Sequence, residues 1–276
     1  MRQPQRNIEE SLPMHPETVP SVLISSKSDP DKVNVIHYRA YLPSALEDYQ
    51  PLVPLLDVLH HALPGDTVTL VLNGDGGHVT TAAHLSTAIH RSQAVVLTEA
   101  CGRISSAHTL AALSGDVVLP VCNTIAMVHN MSMGTGGSGR EPIDHVKASL
   151  DWCSSLFEEH QIPFLSMEEL HSIFEYNTTI WMPHEADIND RIYTTMWYRA
   201  SIGVMKPEAF NMFIDLVQQG IYEGCTLVNI NTMIGLLEGL CEEHEVACAP
   251  IWSIMTAIGM FGEHNNPMDF ILSDGE

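Results

Sequence analysis

Between residues 33 and 130, short apolar runs alternate with segments of helical period, which restricts the chain to an α/β fold with a mostly parallel sheet. Residues 33–38 read as a strand, and 51–63 as a helix with Leu52, Leu55, Leu56 and Leu59 on one face. Residues 67–72 read as a buried strand and 73–77 as a loop, followed by a helix over 80–92 carrying Ala82, Leu85 and Ile89. Strands at 94–98, 116–120 and 125–130 then enclose a short helix of small residues at 106–113.

Beyond a Gly-rich stretch at 131–139, the spacing of Ile143, Val146, Leu150, Cys153 and Phe157 predicts a long helix over 142–160. Ser166 with Glu169 three residues on is the sign of a capping box opening a second helix. From 190 onward the chain reads mainly helical. Residues 1–30, rich in Pro, Ser and charge with no apolar period, are expected to form a flexible arm. Three segments follow: that arm, a domain over 31–190, and a helical C-terminal extension over 191–276.

Charge narrows the function classes. With 34 Asp plus Glu against 12 Lys plus Arg, the formal net charge is −22, which would repel a phosphate backbone or an anionic membrane. Neither nucleic acid nor a membrane is an expected partner. The first twenty residues lack the continuous apolar stretch of a secretion signal, and the longest apolar run, 246–261, is broken by Pro250. Six dispersed cysteines then read as reduced thiols, and the expected compartment is the cytoplasm. Cys241, His244 and Cys248 form the nearest approach to a zinc pattern but lack a fourth ligand, so no metal and no cofactor is expected.

Three sequence pieces fit acyl transfer, which needs a nucleophile, a base and amide donors where negative charge develops. Residues 73–79, Asn-Gly-Asp-Gly-Gly-His-Val, join a strand to a helix, and Gly77 is a candidate oxyanion donor. Without a following Lys-Ser/Thr, the loop is not a phosphate-binding fingerprint. The serine pair Ser105-Ser106 opens the small-residue helix, where one hydroxyl could cap the helix and the other attack, with Ala107 N–H as second donor. His129 lies in an apolar strand where a histidine needs a reason to be present.

In order and spacing these motifs resemble the proteolytic subunit of the Clp protease and its phage-borne and signal-peptide-peptidase relatives. That family's Asn-Ser-Pro-Gly-Gly-Val corresponds to the stretch from Asn73 through Gly77 to Val79, its Gly-X-Ala-Ala-Ser-X to 102–107, and its Met-Ile-His to Met127, Val128 and His129. The resemblance runs over about residues 33–186 and implies a Clp/crotonase-like fold of repeated ββα and βαβ units. It implies a serine peptidase with Ser106 as nucleophile, His129 as general base, and Gly77 and Ala107 as oxyanion donors. It also implies a peptide or unfolded-protein substrate, a homo-oligomeric ring and an AAA+ unfoldase as a candidate partner.

The chain departs from that pattern at the third triad member, because the aligned region 173–178 has no Asp. Glu175 and Asn177 are the candidates there, with Asp187 and Asp190 further on. An inactive assembly or adaptor module is therefore the alternative reading. A crotonase-type acyl-CoA enzyme is a further one, although it needs no Ser-His pair. A Ser-Lys mechanism would have to use Lys147 or Lys206, both of which read as helix-surface residues.

Overall fold

The computed structural model describes residues 22–27 and 35–244. Strands β1 (Val22–Lys27), β2 (Val35–Tyr41) and β3 (Ala45–Leu46) lead through a 3-10 turn (Gln50–Leu52) into helix α1 (Val53–His61). Next come β4 (Thr67–Gly74), β5 (Gly76–Gly77), α2 (Val79–Arg91), β6 (Val95–Ser105), α3 (Ala107–Leu113), β7 (Val117–Val118) and β8 (Cys122–Val128). The rest is α4 (Glu141–Gln161), α5 (Met167–Tyr176), β9 (Ile180–Met182), α6 (Glu185–Ser201), α7 (Pro207–Gln218) and α8 (Ile230–His244).

The main sheet runs β1-β2-β4-β6-β8-β9, with β7 beside β6. The inner pairs β2–β4, β4–β6 and β6–β8 are parallel, while β1 and β9 close the two edges antiparallel. Thus the mixed α/β architecture with a mostly parallel sheet is the one expected. Val68, Leu70 and Leu72, on one face of β4, and Val96 of β6 are fully buried, as strand faces packed against the core require.

Several boundaries differ from expectation, each for a physical reason. Residues 22–27, inside the expected arm, pair with β2 from Val22↔Ala40 to Lys27↔Val35, because joining a sheet edge by the backbone needs no apolar period. Residues 1–21 lie outside the described residues. The segment 73–77 is not a plain loop: β4 continues to Gly74, and β5 pairs parallel with β3 in a separate two-stranded sheet. β6 extends to Ser105 although its residues 99–103 are not an apolar run, because β4 and β8 pair with it on both sides. β9 was not foreseen, since three residues are too few to show a period.

The expected boundary near 190 falls inside α6, whose Ile188, Ile192, Met196 and Trp197 are buried in the same cluster as Ala40 and Leu70. Further on, Trp197 and Phe213 have ring centroids 4.9 Å apart, Phe213 and Tyr222 5.3 Å, and the Tyr222 hydroxyl donates to Val118 O at 2.7 Å. The chain to Tyr222 therefore shares one core with the sheet. Lys206 is not a surface residue: its Nζ donates to Asp116 Oδ2 at 2.7 Å and to Ala94 O at 3.0 Å, tying the start of α7 to the sheet.

The capping box is present: Ser166 Oγ accepts from Glu169 N at 3.1 Å, and Glu169 Oε2 accepts from Ser166 N at 2.9 Å. Among the described residues no helix is long and apolar enough to cross a membrane, and no cluster of three or more His, Cys, Asp or Glu is arranged for a metal ion. The apolar run 246–261, Cys248 and the side chains of Cys241 and His244 lie outside the described residues.

Candidate active site

Ser106 is the single residue between the end of β6 at Ser105 and the start of α3 at Ala107. Turning from strand to helix within one residue forces an unusual backbone, and Ser106 has φ 55° and ψ −123°. For a residue with a side chain such a conformation costs on the order of 1–3 kcal/mol and persists only where the surroundings over-determine it. Two contacts do so here. The Ser106 amide donates to Met127 O at 2.8 Å, and the Ser106 carbonyl accepts from Thr109 N at 2.9 Å. The side chain of Ser106 is held at the mouth of the turn, partly exposed, whereas Ser105 is buried with its Oγ unpartnered.

Helix α3, wholly buried, runs on from Ser106 with Ala107 as its first residue. Ala107 carries one of the amides that a helix start leaves without an intrahelical partner. Across from it, Gly76 rather than Gly77 meets the serine: a Cβ on Gly76 would lie 2.7 Å from Ser106 Cβ and 3.2 Å from Ser106 Oγ. At Gly77 a Cβ would strike the Leu46 backbone at 2.6 Å. Both glycines have positive φ, +117° and +138°, so side chains are excluded by conformation as well as by space.

β6 and β8 run parallel with Ser105 opposite Met127, which brings Ser106 alongside the end of β8 where His129 follows Val128. His129 lies one residue past the strand, half-buried. Desolvation by burial holds its pKa below the ordinary imidazole value, and among the described residues no neighbouring charge opposes the shift. Among the described residues its ring makes no hydrogen bond or ion pair, and Ser106 Oγ is not hydrogen-bonded to it.

None of the four third-member candidates is joined to His129. Glu175 is exposed near the end of α5, and Asn177 is the exposed C-cap of that helix at φ 52°. Asp187 pairs with Arg191 at 2.9 Å, and Asp190 Oδ1 accepts from Thr226 N at 2.7 Å. β9 approaches His129 instead: Val128 pairs with Ile180, so Thr178 and Thr179, which precede β9, run past the end of β8. Lys147 is exposed on α4, and Lys206 is engaged at Asp116, so neither lysine is brought to Ser106. Arg103 forms an ion pair with Asp75 at 2.7 Å on the rim, where exposure of both partners makes it weak.

Sequence reasoning missed His108, whose Nδ1 accepts from Gly76 N–H at 3.1 Å. A histidine two residues after the serine, inside a run of small apolar residues, was the available signal.

No curated protein matches this chain. The Clp protease family model matches residues 42–157, a segment that contains Gly76, Gly77, Ser106, Ala107 and His129. Over that segment the chain is similar to the Clp protease family.

Proposed function

We propose that the chain is a serine peptidase in which Ser106 attacks a peptide carbonyl and His129 is the general base. The observation that carries this reading is the Ser106 backbone at φ 55°, ψ −123°, which lifts the hydroxyl out of the strand-to-helix turn. Such strain is retained where it serves a function. His129, with its pKa lowered by burial, is neutral at neutral pH and can accept the Ser106 Oγ proton. That transfer requires the two side chains to close to hydrogen-bond distance as substrate binds. The amides of Gly77 and Ala107 are the proposed oxyanion donors, and the leaving amine takes the proton back from His129. Water then attacks the acyl-Ser106 ester, again with His129 as base, to release the second product.

A ring assembly is part of the same proposal. Ile143 on α4 is 58% exposed although it belongs to the helix's apolar stripe, and Trp152 is 41% exposed. These side chains suit a contact between copies, which light scattering at micromolar concentration checks; a strict monomer would exclude the ring.

A fluorophosphonate probe tests the chemistry directly. Covalent labelling of the full chain is expected, with loss in Ser106→Ala, strong loss in His129→Ala and retention in Ser105→Ala. Among the described residues no carboxylate reaches His129, which favours one second reading, an inactive assembly module, because an unoriented base lowers the rate by roughly 10⁴-fold in the serine-protease triad. A folded wild type that takes up no probe and cleaves no peptide pool would establish that second reading.

A further inference from the structure

His108 is fully buried in α3, two residues beyond Ser106, and its ring spans two backbone segments. Gly76 N–H donates to Nδ1 at 3.1 Å, and Nε2 lies 2.9 Å from the Pro43 carbonyl oxygen. An amide can only donate and a carbonyl can only accept, so these partners set the tautomer: Nδ1 holds the lone pair and Nε2 the proton. Space for the ring comes from Gly74, where a Cβ would lie 2.4 Å from both Cε1 and Nε2 of His108. Burial lowers the pKa of the ring and so favours its neutral form.

The amide that His108 holds belongs to the glycine that meets Ser106. Pro43, His108, Gly76 and Ser106 therefore form a continuous series of contacts from the segment before β3, through α3, to β5 and back to the serine. β5 is only two residues long and pairs with the equally short β3, and the flanking amides of Asp75 and His78 donate to Ser44 O at 3.0 Å and Leu46 O at 2.8 Å, while the Gly76 amide itself turns to His108. The side-chain acceptor at Nδ1 adds a restraint on the Gly76 amide, which is the one nearest Ser106.

We propose that His108 is a positioning residue which holds the Gly76–Gly77 strand at the depth that Ser106 chemistry requires. The proposal rests on the serine-peptidase reading for its effect on rate, but the restraint on Gly76 stands apart from it. An ordinary buried histidine would matter for stability alone. A positioning residue also changes the maximal rate, in a way that depends on which ring nitrogen a replacement imitates.

The test compares two variants of the full chain. In His108→Asn the side-chain oxygen takes the place of Nδ1 and still accepts from Gly76. In His108→Gln the amide reaches the Nε2 position and leaves Gly76 N–H without its acceptor. Saturating fluorophosphonate labelling is expected to stay within about threefold of wild type in His108→Asn. It should fall by about tenfold or more in His108→Gln, as the loss of a buried amide's acceptor implies, with little change in half-saturating probe concentration. Equal or reversed rates overturn the proposal. Amide hydrogen exchange of the segment carrying Gly76 is read on the same proteins and needs no activity. It should quicken in His108→Gln and not in His108→Asn, and unchanged exchange in both also overturns the proposal. A wild type that fails to label while exchange follows this pattern would sink the peptidase reading and leave the restraint intact.

Discussion

Gly76 lies so close to Ser106 that a Cβ on the glycine would sit 2.7 Å from the serine Cβ. With φ +117° the glycine has no conformational route to relieve that clash while the strand stays in place. Gly76→Ala is therefore expected to displace either Ser106 or the amides beside it, lowering probe labelling on the order of 10²-fold, the scale of a lost oxyanion donor. Near-wild-type labelling in a folded Gly76→Ala protein would contradict this contact.

The pH dependence of labelling should follow His129. A base acts in its neutral form, and burial lowers the pKa of this imidazole, so the acidic limb of the rate should have its midpoint below the ordinary imidazole value. A stopped-time labelling series across the acidic range measures the limb. A midpoint above the ordinary imidazole value would mean that a carboxylate acts on His129 after all.

Acid should destabilise the fold through His160. This ring stacks on His90 with centroids 5.2 Å apart, and desolvation, with His90 and Arg199 nearby, lowers its pKa to about 4. The unfolded chain, with an ordinary pKa near 6.5, binds the proton first as pH falls. Stability that is complete above about pH 6.5 is thus lost progressively toward pH 4, by up to about 3 kcal/mol. Denaturant midpoints across that window should fall in wild type and fall less in His160→Phe, which keeps a stacking ring and cannot titrate.

Arg191 binds Glu169 through both terminal nitrogens, at 2.8 and 2.9 Å, and so joins α6 to the capping box of α5. Burial alone would raise the Glu169 pKa, but Arg191 and the Ser166 amide outweigh it and the net shift is downward. Arg191→Met should leave the carboxylate partly buried without its counter-charge and cost about 2–3 kcal/mol in urea unfolding. Arg191→Met with Glu169→Gln should recover part of that loss; a double variant no more stable than the single one would argue against a paired interaction.

Much of the molecule is local in origin and could be read directly. Apolar runs and helical spacings marked β4, α2, α3 and α4, because strands and helices bury every second or every third to fourth residue. Ser166 with Glu169 marked the start of α5, because both partners of a capping box lie within four residues. Ser106 and His129 stood out as candidates from the order of short motifs.

The remaining features depend on contacts between distant segments. β1 and β9 exist by pairing with strand edges, and the depth of the core beyond residue 190 comes from α6 and α7 packing onto the sheet, which no local period encodes. Which glycine meets Ser106 was undecidable from two adjacent glycines, since the answer depends on the register of β5 with β3 and on its approach to α3. His108 looked like one more residue of an apolar helix. Only when the fold brings Pro43 and Gly76, 65 and 32 residues away in sequence, to its two ring nitrogens does it acquire a role. The sequence by itself determined the period of the elements and the chemistry of the side chains; the tertiary structure decided which backbone groups those side chains reach, because hydrogen bonds act over about 3 Å and only folding brings distant segments that close.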